Sequence, residues 1–210
     1  MLTYLREPAE IYRQSFLRIR QETDLSGFEG QEEEIAVRVV HACGMPDVVK
    51  DLRFHGDVAG AALEAMSRRR PVFVDAEMVR AAVLHRALPP GVTVRCSLND
   101  DSVRDIATNA GTTRSAAAVG LWGPDLEGSI VVIGNAPTAL FALLDAIDAG
   151  GPRPAAIFAF PVGFVGAAEC KSELAANPRG LCLATLLGRR GGSAIAGAAL
   201  NAVLVGARDA

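Results

Sequence analysis

The chain has 210 residues, 50% of them hydrophobic and 21% charged, and a formal net charge of -3. That length fits one globular domain over residues 1–210, since single cores grow to about 250 residues. The balance of charge argues against nucleic acid as a partner, no apolar run approaches the ~20 residues that span a bilayer, and Met1-Leu-Thr-Tyr-Leu-Arg-Glu-Pro8 lacks a signal-peptide pattern, so a cytoplasmic setting with no membrane is expected.

Pro8 suits the first position of a helix that runs to about Glu22. Ile11, Tyr12, Phe16 and Ile19 form its apolar face, with Ser15 beside it and Arg18 one turn on. Asp24 to Gly30 reads as a loop. Glu32, Glu33 and Glu34 then sit where carboxylates favour a helix start, and Gly44 is a helix stop. Between them, Glu34, Arg38 and His41 share one helical stripe in an otherwise apolar run. A helix apolar on all sides is expected to be buried. An unpaired charge there costs several kcal/mol or shifts its pKa. Two readings stand at this point: Arg38 pairs with Glu34 and His41 is a hydrogen-bonded core residue, or His41 is a proton donor facing a site.

Asp47 to Phe54 reads as a short amphipathic piece and Val58 to about Arg68 as a helix. The basic run Arg68-Arg-Arg70 suits its negative end; an anion site is the other reading. From here strands and helices alternate. Strands are expected at 72–75, 92–96, 129–133, 155–160 and 181–186, separated by helical stretches at 76–84, after Asp100, at 113–122, 137–147 and 166–176, with a last helix at 193–204. The fold class is therefore α/β, a mainly parallel five-stranded sheet with helices on both faces. The strands lack alternation, as expected when both faces are covered.

In such sheets ligands bind beyond the carboxyl ends of the strands. Those ends carry Asp75-Ala-Glu-Met78, Ser97-Leu-Asn-Asp100, Gly134-Asn-Ala-Pro-Thr138, Pro161-Val-Gly-Phe-Val-Gly166 and Gly188-Arg-Arg-Gly-Gly-Ser193. Glycine-rich turns entering helices present N–H groups to anions, and Arg114, Arg189 and Arg190 add forked cations. Nucleotide-binding fingerprints and a G-x-S-x-G elbow are missing. Four scattered cysteines, Cys43, Cys96, Cys170 and Cys182, read as reduced and mostly buried. His41, His55 and His85 have no metal-ligand spacing, so no metal is expected. The residues point to an apolar-bodied, polycarboxylated ligand and proton-assisted chemistry.

Eight blocks in order carry a family likeness: Ser15-Phe16 with Ile19-Arg20, Arg38-Val-Val-His-Ala-Cys-Gly44, Asp75-Ala-Glu-Met-Val79, Gly111-Thr-Thr-Arg-Ser-Ala-Ala117 with Trp122, Ile133-Gly-Asn-Ala-Pro-Thr-Ala-Leu-Phe141, Pro152-Arg-Pro-Ala-Ala156, Pro161-Val-Gly-Phe-Val-Gly-Ala-Ala-Glu169 with Lys171, and Gly188-Arg-Arg-Gly-Gly-Ser-Ala194. Along most of its length the chain resembles the precorrin-8X methylmutases of cobalamin biosynthesis. The resemblance implies a cofactor-free isomerase that moves a methyl group from carbon eleven to carbon twelve of a tetrapyrrole, giving hydrogenobyrinic acid or its cobalt analogue. It maps the catalytic histidine onto His41 and substrate contacts onto Ser15 and Arg38. It also makes Arg114, Ser115, Gly134, Asn135, Lys171 and Arg190 candidates for gripping the substrate, and implies a homodimer whose sites are completed by the partner subunit. Arg68-Arg-Arg-Pro71, Leu84, His85 and Leu187 depart from the family pattern, and the roles of His85 and of the arginine run stay open. A corrinoid carrier without turnover would share these grips and need no proton donor.

Overall fold

The computed structural model describes residues 4–209. Six strands form one sheet: β1 (Leu52–His55), β2 (Val72–Val74), β3 (Val94–Cys96), β4 (Ile130–Ile133), β5 (Ala156–Ala159) and β6 (Cys182–Leu186). Their order is β1-β6-β5-β4-β2-β3. The expected five strands are all present and parallel to one another. The count itself is corrected to six, because β1 adds an antiparallel edge, pairing Leu52 with Leu186 and His55 with Leu183. Its alternation is real, with Leu52 buried, Phe54 half-buried, and Arg53 and His55 exposed. It extends over only four residues and directly follows a 3-10 helix at Pro46–Asp51, so its period was too short to separate from a helical piece.

The helices are α1 (Pro8–Glu22), α2 (Gln31–Cys43), α3 (Val58–Ser67), α4 (Glu77–Ala82), α5 (Val103–Asn109), α6 (Arg114–Gly120), α7 (Pro137–Asp148), α8 (Ala167–Ala176) and α9 (Ser193–Asp209). Both faces of the sheet are covered, as expected. Val72, Val74, Ile130, Val132 and Phe158 pack with residues of α2, α3, α4 and α9. Phe73, Val131, Ile133 and Ile157 pack with residues of α6, α7 and α8. β4 is therefore buried along its whole length, which explains its unbroken apolar sequence.

Two features fix where the site can lie. α9 starts just beyond the carboxyl end of β6 and runs back across the sheet, with Gly206 near its far end against the side chain of Gln31, the first residue of α2. α2 is thus antiparallel to α9 and delivers His41 to the carboxyl edge. Gly44 ends α2 in the left-handed region at φ 68°, its N–H donating to the Val40 carbonyl at 2.7 Å. The chain then reaches Leu52, which pairs with the last residue of β6. α1 lies outside this core, packed on α2, and none of its residues is buried.

Among the described residues no helix is long and apolar enough to cross a membrane. Cys170 is buried, whereas the other three free cysteines are only half-buried.

Candidate functional site

α1 begins cleanly because the Glu7 side chain accepts from the N–H groups of Ala9 and Glu10 and Pro8 occupies the first turn. It is held on α2 by Arg20, whose guanidinium bridges Glu33 and Glu34. The pairing of Arg38 with Glu34 allowed by the sequence is therefore not made. Arg38 instead lies over the ring of Phe16, 5.3 Å from its centroid. The Phe16 ring also faces His41, with centroids 5.0 Å apart, and Tyr12 approaches His41 edge-on at 6.0 Å. Ser15 Oγ lies 3.0 Å from His41 Nδ1. One imidazole nitrogen is thus engaged by a hydroxyl, and Nε2 has no partner among the described residues.

The reading of His41 as a core residue on a buried helix is corrected, because His41 is exposed. Its stripe of α2 looks outward, away from α9, and α1 covers it only in part. His41 and Ser15 open onto a cavity of about 630 Å³. Ile11, Gln14, Ser15, Arg18 and Glu22 form one wall, at the spacing of one helical face. Val40, His41, Gly44 and Pro46 form the other.

The remaining candidates fall into separate clusters. Lys171 is fully buried, and its Nζ donates to the Arg190 carbonyl at 2.5 Å. Burial lowers its pKa from 10.5 to about 8. The Arg190 guanidinium bridges Asp47 and Asp51 at 2.7 and 2.8 Å, tying the turn after β6 to the segment that follows α2. Gly134 and Asn135 donate their backbone N–H groups to Asp75, both at 2.9 Å, and Ala136 donates to the same carboxylate at 2.6 Å. These amides, offered by the sequence to an external anion, are taken by an internal one. Asp75 is 3% exposed. Burial pushes its carboxyl above the ordinary range, and the three N–H donors pull it part of the way back. Arg114 is exposed and donates to the Leu98 carbonyl and Asn99 Oδ1, bracing the loop beyond β3. Ser115, next to it, is half-buried.

The structure therefore brings Ser15, Arg38 and His41 together, joins Lys171 to Arg190, and joins Gly134 to Asn135 through Asp75. Asp47, Asp51 and Asp75 were not among the expected site residues, nor was Arg18. A carboxylate at the end of an all-apolar strand is the signal that could have marked Asp75. The helical spacing from Ile11 through Ser15 to Glu22 is the one that could have marked Arg18. Among the described residues, no group of three or more His, Cys, Asp or Glu side chains is placed to hold a metal ion. An imidazole backed by a hydroxyl, in a cavity with mixed polar and apolar walls and a nearby guanidinium, can exchange a proton with an anionic ligand that has an apolar body.

A family profile described as precorrin-8X methylmutase matches residues 10–205. A precorrin-8X methylmutase of Pseudomonas aeruginosa is 52% identical over 203 residues, 97% of this chain and 98% of its own. A cobalt-precorrin-8 methylmutase of Priestia megaterium is 32% identical over 200 residues, 95% of this chain and 88% of its own. The crystal structure of a precorrin-8X methyl mutase from Thermus thermophilus superposes with a TM-score of 0.84 at 33% identity, covering 96% of this chain and 97% of the other.

Proposed function

The chain belongs to the precorrin-8X methylmutase family, and from that membership we propose that the cavity beside α1 holds a tetrapyrrole of the precorrin-8X type and that His41 moves a proton on it. The protein is an isomerase of cobalamin biosynthesis, an intramolecular transferase. The observation that carries the site assignment is the contact between Ser15 Oγ and His41 Nδ1, inside a cavity that both residues line.

A methyl group migrates around a conjugated macrocycle once the double bonds are correctly placed. Here it passes from carbon eleven to carbon twelve, giving hydrogenobyrinic acid. Proton delivery from His41 sets the arrangement of double bonds, and general acid catalysis of this kind contributes about 10²–10⁴-fold. Ser15 holds the imidazole by Nδ1, so that Nε2 faces the substrate. A hydroxyl both donates and accepts, so it supports the ring with the proton present and with the proton gone. Phe16 and Tyr12 limit tilting of the imidazole, and Arg38 steadies Phe16 while keeping N–H groups for a carboxylate on the ring periphery. Arg114, Ser115 and Asn135 line the carboxyl edge as further grips, while Lys171 and Arg190 shape the turn after β6. The proposed substrate is the metal-free ring. Relatives named for precorrin-8X are 52% and 48% identical to this chain, whereas one named for cobalt-precorrin-8 is 34% identical. The exposed Ile11, Tyr12 and Leu17 on α1 support a homodimer in which a second copy covers the open side of the cavity.

The test is His41→Asn. The variant is expected to bind hydrogenobyrinic acid, read from the shift of its visible spectrum, and to lose isomerisation. Turnover at the wild-type rate would falsify the acid–base role.

A further inference from the structure

The cavity wall contains a cation that neither the resemblance nor the family names assign. We propose that Arg18 is the residue that fixes the orientation of the macrocycle, by gripping one of its peripheral carboxylates beside His41. The inference rests on the cavity being the substrate site, as argued above.

Four observations carry it. First, among the described residues Arg18 is the sole lysine or arginine that lines the cavity; Arg38 does not line it and lies over Phe16. Second, three other arginines of this corner are already ion-paired, Arg13 with Glu10, Arg20 with Glu33 and Glu34, and Arg190 with Asp47 and Asp51, and Arg38 is seated over Phe16. Arg18 makes no hydrogen bond, ion pair or ring contact among the described residues. Third, Glu22 stands one turn on in the same wall, yet the two do not pair. A cation four residues before a carboxylate is the weaker order for such a helical pair, so the guanidinium stays available. Fourth, Arg18 follows Ser15 by three residues, about 4.5 Å along the helix axis. An acid group held there places the ring within one helical turn of the imidazole that Ser15 supports.

The chemistry fits one ligand class. A guanidinium fork matches a carboxylate with two parallel N–H donors. Ile11, Ile19 and Val40 around it offer apolar contact to a ring body. A carboxylate placed by a fork fixes rotation of the ring in its plane, and thereby which edge of the ring meets His41.

The experiment is titration of the full-length protein with hydrogenobyrinic acid, followed by visible absorbance, for wild type, Arg18→Gln and Arg18→Lys. Melting temperatures of the three are compared at the same time. Because Arg18 is exposed, all three are expected to melt together. Arg18→Gln is expected to weaken binding about 10- to 100-fold, the range for loss of a charged hydrogen-bonded pair. Arg18→Lys is expected to recover part of that loss, since it keeps the charge without the fork. In turnover, Arg18→Gln raises KM far more than it lowers kcat, unlike His41→Asn. Binding by Arg18→Gln within twofold of wild type overturns the assignment and leaves the proposed function standing. So does a lysine variant no better than glutamine. Failure of the wild type itself to bind hydrogenobyrinic acid overturns both.

Discussion

Replacing Lys171 by Met tests how the turn after β6 is built. Lys171 is fully buried, its Nζ donates to the Arg190 carbonyl, and burial lowers its pKa from 10.5 to about 8. Below pH 8 the ammonium is charged in both the folded and the unfolded chain, and the native state bears the full cost of burying it. Between pH 8 and 10.5 the folded protein releases this proton while the unfolded chain keeps it, so stability rises with pH. Above 10.5 the penalty is gone. At 1.36 kcal/mol per pKa unit the whole effect is about 3 kcal/mol, and most of it develops between pH 7 and pH 10. Met keeps the length and apolar stem of the side chain but leaves the Arg190 carbonyl without its donor, at a cost of about 1–3 kcal/mol. At pH 7 the variant is therefore expected to be as stable as wild type or up to about 2 kcal/mol more stable. By pH 10 the comparison reverses. Urea unfolding of both proteins at each pH gives the difference, because titrating groups away from Lys171 are common to the two. A difference that stays flat from pH 7 to pH 10 would refute the reasoning, since it would mean that Lys171 titrates as it does in water.

Two further substitutions probe the carboxyl edge. Asp75→Ala leaves three backbone N–H groups without an acceptor, the buried one of Gly134 and the half-buried ones of Asn135 and Ala136; an expected loss of about 2–3 kcal/mol in denaturant unfolding checks this, and a loss below about 1 kcal/mol contradicts it. Gly134→Ala places a methyl group 2.8 Å from both Ala196 Cβ and Ser193 Cα and 2.9 Å from Val79 Cγ2. Overpacking of this kind costs about 1–3 kcal/mol. A melting temperature equal to that of wild type would show that α9 yields freely at its start.

The sequence carried the parallel core because β4 and β5 are apolar at every position and are bounded by helices with clear stops. Gly44, for instance, takes the left-handed conformation that ends α2. β1 escaped because four residues of an edge strand leave too few alternations to count. The stripe of Glu34, Arg38 and His41 was legible from spacing, but its partners were not. Glu34 is claimed by Arg20 from another helix, and no local pattern decides between Arg20 and Arg38. The exposure of His41 was hidden for the same reason, since an apolar run does not reveal which of its sides lacks a neighbour. The glycine-rich turn at Gly134 is legible as a row of N–H donors, but not as one already occupied. That their acceptor is Asp75, 59 residues earlier in the chain, depends on β2 and β4 being neighbours, which only the topology provides.

The position of α1 has a thermodynamic consequence. It supplies Ser15 and Arg18 to the cavity but buries none of its own residues. Elements with little buried apolar contact open at much lower free energy than the core beneath them. A guest seated between α1 and α2 supplies the contacts that α1 lacks, so its amide protons should exchange more slowly when the cavity is filled. Order in this helix and occupancy of the cavity are then linked quantities, each strengthening the other by the same amount.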